Sequence, residues 1–78
     1  MHKVYALKSL NRNYIYVGLT KDLEKRIKRH NSGYEKTTRS FAPFKLIYQE
    51  SCIDRIQARG REKYLKSGIG KEYLKSLA

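Results

Sequence analysis

The sequence predicts an α/β (α+β) fold, a three-stranded antiparallel β-sheet flanked by helices in the order β-β-α-β-α-α. Three observations predict it. Two β-rich runs, Val4-Tyr5-Ala6-Leu7 and Tyr14-Ile15-Tyr16-Val17-Gly18, flank the turn-rich stretch Ser9-Leu10-Asn11-Arg12-Asn13 and read as a hairpin. Phe44 to Glu50 alternates Phe44, Leu46 and Tyr48 against Lys45, Ile47 and Gln49, a third strand. Elsewhere apolar residues recur at helical spacing behind capping residues. The 78 residues leave room for one core, so residues 1–78 read as a single domain. A chain this short buries only about 60% of its unfolded surface.

Taken in order, the first strand covers Lys3 to Lys8 and the second Tyr14 to Leu19. Side chains alternate along a strand, so Tyr5 and Leu7 share a face, as do Tyr14, Tyr16 and Gly18. An even number of loop residues puts Tyr5 and Tyr16 on the same side, and an odd number separates them. Thr20 or Asp22 caps a helix whose Leu23 and Ile27 form an apolar stripe that His30 extends, with Glu24 and Lys28 spaced to pair. Asn31-Ser32-Gly33 ends it, and the polar, basic stretch Tyr34 to Pro43 reads as a surface loop.

Ser51 or Asp54 starts the next helix, and Asp54 and Gln57 have capping-box spacing. That helix runs to about Ser67 and carries Ile53, Ile56, Ala58, Tyr64 and Leu65 as its apolar residues, with Gly60 as a point of close packing. Gly68 and Gly70 interrupt the chain before a short last helix, about Lys71 to Leu77.

Charge narrows the partners. Eighteen Lys+Arg against seven Asp+Glu give a formal net charge of +11, which attracts any polyanion. No stretch has the apolar face of an interfacial helix or the length of a membrane span, so nucleic acid is expected rather than a membrane. Cys52 has no partner for an internal disulfide, and His2 and His30 alone make no zinc cluster. Met1-His2-Lys3-Val4 lacks the apolar run of a signal peptide, and a reducing, cytoplasmic setting is expected. Cys52 reads as a small buried hydrophobe.

Tyr5, ten intervening residues, Tyr16-Val17-Gly18, and then Arg26-x-x-x-His30-Asn31-x-Gly33 resemble the GIY-YIG nuclease superfamily. Pro43-Phe44-x-Leu46-x-Tyr48-x-Glu50 and Ala58-x-x-x-Glu62-x-x-Leu65-Lys66 are similar to its third strand and acidic helix. The resemblance spans nearly the whole chain. It is strongest to small stand-alone bacterial members related to the catalytic domain of the excision-repair nuclease subunit. Lys3 stands where the first motif has glycine, and Gly68-Ile69-Gly70-Lys71-Glu72 offers none of the asparagine that many members carry after the acidic helix.

The resemblance implies a DNA endonuclease dependent on Mg²⁺ or Mn²⁺, acting without base specificity or guided by DNA structure, in repair or recombination. Glu62 would hold the metal, since a hard cation that keeps several waters needs few protein ligands. Tyr5 is the candidate general base or water-positioning group, its phenol lowered in pKa by Arg26 and the surrounding positive charge. Tyr16 would orient water or phosphate beside it. Arg26 would grip the scissile phosphate with its planar fork, and His30, one turn on, would bond the phosphate or relay a proton.

Gly18 would admit the substrate backbone, and Lys21, Lys25, Arg29, Lys36, Arg39 and Arg59 would bind DNA phosphates without reading sequence. A protein partner would supply any specificity. Residue by residue, each role has an ordinary alternative: packed strand tyrosines, exposed arginines, a helix-terminal histidine and a solvated glutamate. The alternative for the whole chain is a catalytically weak nucleic-acid-binding module on the same fold.

Overall fold

The computed structural model describes residues 1–78. Strands β1 (His2–Ser9) and β2 (Ile15–Thr20) form the expected hairpin, and β3 (Phe44–Cys52) pairs with the other edge of β1. The sheet is antiparallel throughout, in the order β2-β1-β3. Helix α1 (Leu23–Asn31) precedes β3, and α2 (Arg55–Lys66) and α3 (Gly68–Leu77) follow it. No helix is long and apolar enough to cross a membrane.

The central strand is buried on both sides because its alternate residues serve two cores. Val4 and Ala6 join Val17, Cys52, Ala58, Leu65 and Leu74 in an aliphatic core beneath α2 and α3. Tyr5 and Leu7 join Phe44 on the opposite face, where Tyr14, Tyr16, Leu23 and Ile27 pack around them. Cys52 lies in the aliphatic core, where burial pushes its thiol pKa up.

Local chemistry sets the helix ends. The Lys25 amide donates to Asp22 Oδ1 (3.1 Å), and Gly33 turns the chain at φ +81°. The Gln57 amide donates to Asp54 Oδ1 (2.8 Å), while Gln57 Oε1 accepts from the Ile53 amide (2.8 Å).

Five local expectations are corrected. The regular alternation in β3 fails because its pairing shifts between Ala6↔Tyr48 and Leu7↔Leu46, leaving Ile47 as an extra, bulged residue. One added residue flips the faces, so Phe44 lies with Tyr5 while Tyr48 packs against the aliphatic core. Ile53 and Ile56 are 79% and 83% exposed, since α2 turns Ala58 and Leu65 inward instead.

Close packing occurs at Gly70, not Gly60. A Cβ at Gly60 would meet nothing, whereas one at Gly70 would collide with the Tyr64 carbonyl and Leu65 Cα. The glycines do not delay the last helix: Ser67 Oγ accepts from the Gly70 amide (3.3 Å) and caps α3 at Gly68. Finally, the ion pairs within helices are Glu62–Lys66 and Glu72–Lys75, and Glu24 and Lys28 form none.

Candidate active site

Hairpin register places the phenols. Tyr5 pairs with Gly18 and Leu7 with Tyr16 across a loop of residues 9–14, the even case, so both tyrosines face the same side. Their ring centroids lie 6.1 Å apart. Gly18 makes the room. A Cβ there would lie 2.8 Å from both Tyr5 Oη and Tyr16 Cε2, so the missing side chain is filled by the protein's own phenols.

Behind the phenols, α1 and the segment after it deliver a buried polar chain. His30 is 1% exposed, its Nε2 3.0 Å from Tyr5 Oη and its Nδ1 2.9 Å from Thr38 Oγ1. Thr38 Oγ1 in turn reaches the Glu35 carbonyl at 3.5 Å. Since that carbonyl can only accept, the Thr38 hydroxyl donates to it and accepts from His30 Nδ1–H. Nε2 is then left to accept from the Tyr5 hydroxyl. Burial holds the imidazole below its ordinary pKa, with Glu35 opposing and Arg26 and Arg29 adding to the depression. His30 is thus a neutral acceptor with both nitrogens engaged inside the protein.

The expected lowering of the Tyr5 pKa does not occur. Tyr5 is fully buried, and desolvation and the neighbouring Tyr16 raise its pKa strongly, outweighing the opposing Arg26 guanidinium. Tyr16 is the phenol that remains partly exposed.

The segment from Tyr34 to Pro43 is more than a surface loop. Thr38 is fully buried, and Ser9 Oγ donates to the Phe41 carbonyl (2.6 Å) while the Leu10 amide donates to that of Pro43 (2.9 Å). The Phe44 amide donates to Asn31 Oδ1 (2.7 Å). A short 3-10 turn at Arg39–Phe41 and a cis Ala42–Pro43 peptide complete the path. Thr38 and Glu35 are therefore parts of the site that sequence reasoning missed. The one available signal was a threonine pair in an otherwise basic loop, which carries no spacing rule.

Arg26 lies beside Tyr5 and reaches the Glu35 carboxylate at 3.8 Å, while Arg29 Nε donates to it at 2.9 Å. The Arg29 hydrogen bond and these cations hold the Glu35 carboxyl below its usual pKa, against the effect of burial. Arg26 Nε is buried without a hydrogen-bond partner. Lys25, Arg26 and Arg29 line a groove of about 240 Å³ with Thr20 and Asp22. Lys21 is exposed just before α1, while Lys36 and Arg39 lie in the segment after it, the Arg39 side chain against Gly33. Arg59 is exposed on α2, which packs on the other face of the sheet.

Glu62 also lies on α2, and it makes none of the contacts that join Tyr5, Tyr16, Arg26 and His30. Its carboxylate accepts from Lys66 Nζ at 3.3 Å and is 24% exposed. Lys66 and Tyr16 line one open cleft of about 510 Å³ along the free edge of β2, while Glu62 sits on α2, which packs on the sheet face opposite the phenols.

No cluster of three metal-ligating side chains exists. Of the seven acids, Asp22 and Asp54 cap helices, and Glu35 and Glu50 are held by arginines. Glu62, paired only with the exposed Lys66, fits a hard cation that takes one protein carboxylate and completes its shell with water and phosphate.

Residues 1–73 match the family model of the GIY-YIG catalytic domain. A UPF0213 protein of Clostridium perfringens is 45% identical over 67 residues, covering 85% of this chain and 71% of that protein. One from Staphylococcus saprophyticus is 35% identical over 78 residues, covering 99% and 94%. The solution NMR structure of a UPF0213 protein from Bacillus halodurans is similar with a TM-score of 0.57 and 37% identity, over 97% of this chain and 83% of that one.

Proposed function

The chain belongs to the GIY-YIG family, and on that premise we propose that it is a divalent-metal-dependent endonuclease hydrolysing DNA phosphodiester bonds. The observation that carries the proposal is the hydrogen-bonded chain Thr38–His30–Tyr5, which ends beside an arginine with an unpartnered buried Nε. A buried polar chain without function is costly to build, and the Arg26 side chain, 37% exposed, lines the groove with Lys25 and Arg29, where an anion can reach its fork.

Each residue then has a stated task. Arg26 binds the scissile phosphate through its fork. Tyr5, its proton directed at His30, offers its oxygen toward Arg26 and holds the guanidinium in place. His30 and Thr38 act through Tyr5 and are positioning residues. Tyr16, the phenol open to the cleft, orients the attacking water. Glu62 would hold Mg²⁺ or Mn²⁺, which when bound neutralises charge on the phosphate and acidifies water.

Lys21, Lys25, Arg29, Lys36, Arg39 and Arg59 bind flanking phosphates. Without a base-reading element, cleavage follows DNA shape or a protein partner, a mode suited to repair or recombination. Because α2, which carries Glu62, packs on the sheet face opposite the phenols, a second reading also has support, a binding module that does not cut.

Nicking of supercoiled plasmid with Mg²⁺ or Mn²⁺ decides between them. Wild type should nick, Glu62→Gln should not, and Arg26→Ala should lose roughly 10²–10³-fold in rate, as removal of a charge-stabilising donor does. If neither wild type nor Glu62→Gln cuts plasmid, branched or single-stranded DNA, the binding module stands.

A further inference from the structure

The cleft along the β2 edge is not used by the phosphate grip on α1. Lys66, at the end of α2, and Lys71 and Lys75, one turn apart on α3, line it together with Tyr14 and Tyr16 of the hairpin and Leu74. We propose that this cleft is a subsite for an unpaired strand, taking a nucleotide next to the scissile bond. It rests on the nucleic-acid reading of the phenol site and extends it to a substrate class.

Four observations point to a single strand. Three cations from two helices converge on a cleft that Tyr16 also lines, so a strand gripped there continues into the phenol site. The lysines are available: Lys71 has no acidic partner, and the exposed pairs Lys66–Glu62 (3.3 Å) and Lys75–Glu72 (3.7 Å) hold weakly. Tyr14 is a fixed platform, because Phe41 stacks on its ring at 3.9 Å between centroids and 15° between planes.

The fourth is shape. The cleft's volume of about 510 Å³ lies in the range of pockets that enclose small ligands. A duplex can offer such a slot only its backbone, whereas an unpaired strand can place a base in it. Cationic grooves with aromatic platforms bind single strands in this way.

The test is fluorescence anisotropy with a labelled thymidine oligonucleotide and a duplex of equal length, using the double variant Lys71→Ala/Lys75→Ala. Lys45→Ala/Lys63→Ala serves as the charge-matched control, both residues being exposed and outside the cleft. Thermal unfolding confirms that all proteins are folded. The cleft variant should lose roughly tenfold or more in single-strand affinity and flatten its log–log salt slope by about 1.4, two phosphates at about 0.7 each. Its duplex affinity should change much less, and the control should lose far less on the single strand.

Equal losses for cleft and control variants, equal losses on single strand and duplex, or no loss at all overturn the proposal. Plasmid nicking on the same preparations separates the two readings. A wild type that nicks, with a cleft variant that binds normally, removes the subsite and keeps the nuclease. A wild type that never nicks, with selective loss in the cleft variant, keeps the subsite and removes the hydrolase.

Discussion

The two faces of one sheet solve burial differently. Beneath α2 and α3, the central strand contributes Val4 and Ala6 to a core of aliphatic side chains and a thiol, where shape alone is satisfied. Toward α1, the same strand contributes Tyr5 and Leu7 to a core that also encloses His30 and Thr38, each with hydrogen-bond partners. The aliphatic face holds the fold together without directing chemistry. The other face accepts the cost of buried polar groups: His30 and Thr38 are satisfied, and Arg26 Nε is the one buried side-chain atom left without a partner. A domain of 78 residues can therefore carry a preorganised site because its second core supplies the rigidity.

Variants at matched burial sharpen this contrast, beginning with the largest expected effect. Leu65→Ala, in the fully buried aliphatic core, should cost about 2–5 kcal/mol. At about 4–8 °C per kcal/mol for a domain of this size, Tm should fall by about 10 °C or more, with residual activity tracking the folded fraction. A loss below about 1 kcal/mol would mean that the aliphatic face is not the main source of stability.

Thr38→Val keeps the volume but strips the acceptor from His30 Nδ1–H. It should cost about 1–3 kcal/mol in denaturant unfolding. Nicking measured at full folding should also fall, which Leu65→Ala would not produce. Unchanged stability would show that Thr38 is not the partner that fixes His30.

Acid should act on the α1 face through His30. His30 is held below its ordinary pKa of 6.5 by burial, so the unfolded chain takes up this proton first as pH falls. Stability from this group is fully present above about pH 6.5 and declines below it until the folded-state pKa is reached. Thermal unfolding of wild type and His30→Gln across pH 5–8 tests the sign. The slope assigned to His30 should vanish in the variant, and an identical slope in both would place the titration elsewhere.

The smallest effect is expected at Ile56, on the same helix as Leu65 but 83% exposed. Ile56→Lys should change stability by no more than about 0.5 kcal/mol. A large loss would mean that this apolar position is covered in solution.

Much of this organisation was legible in the residues. Hairpin, helix caps and element order follow from period-two and helical patterns and from Asp22, Gly33 and Asp54, because those signals depend on neighbours a few residues apart. Tyr5 and Tyr16 could be placed on one face once the loop parity was even. The bulge at Ile47 was not legible, since it is an adjustment between two strands rather than a property of one. Gly70 was passed over for Gly60 because close approach is set by what packs opposite, here Tyr64 and Leu65.

The site divides in the same way. By itself the sequence determined the family, the basic charge and the residue types: two phenols, a guanidinium, an imidazole and a carboxylate at recognisable spacings. Tertiary structure alone decided that Tyr5 is sealed in and raised in pKa while Tyr16 meets water. It also decided that Thr38 folds back from the segment after α1 to hold His30, and that Glu62 lies on a helix packed against the opposite face of the sheet. The physical reason is that desolvation and hydrogen-bond partnership depend on which surfaces meet in three dimensions. A pattern of residues along the chain fixes only which surfaces are available to meet.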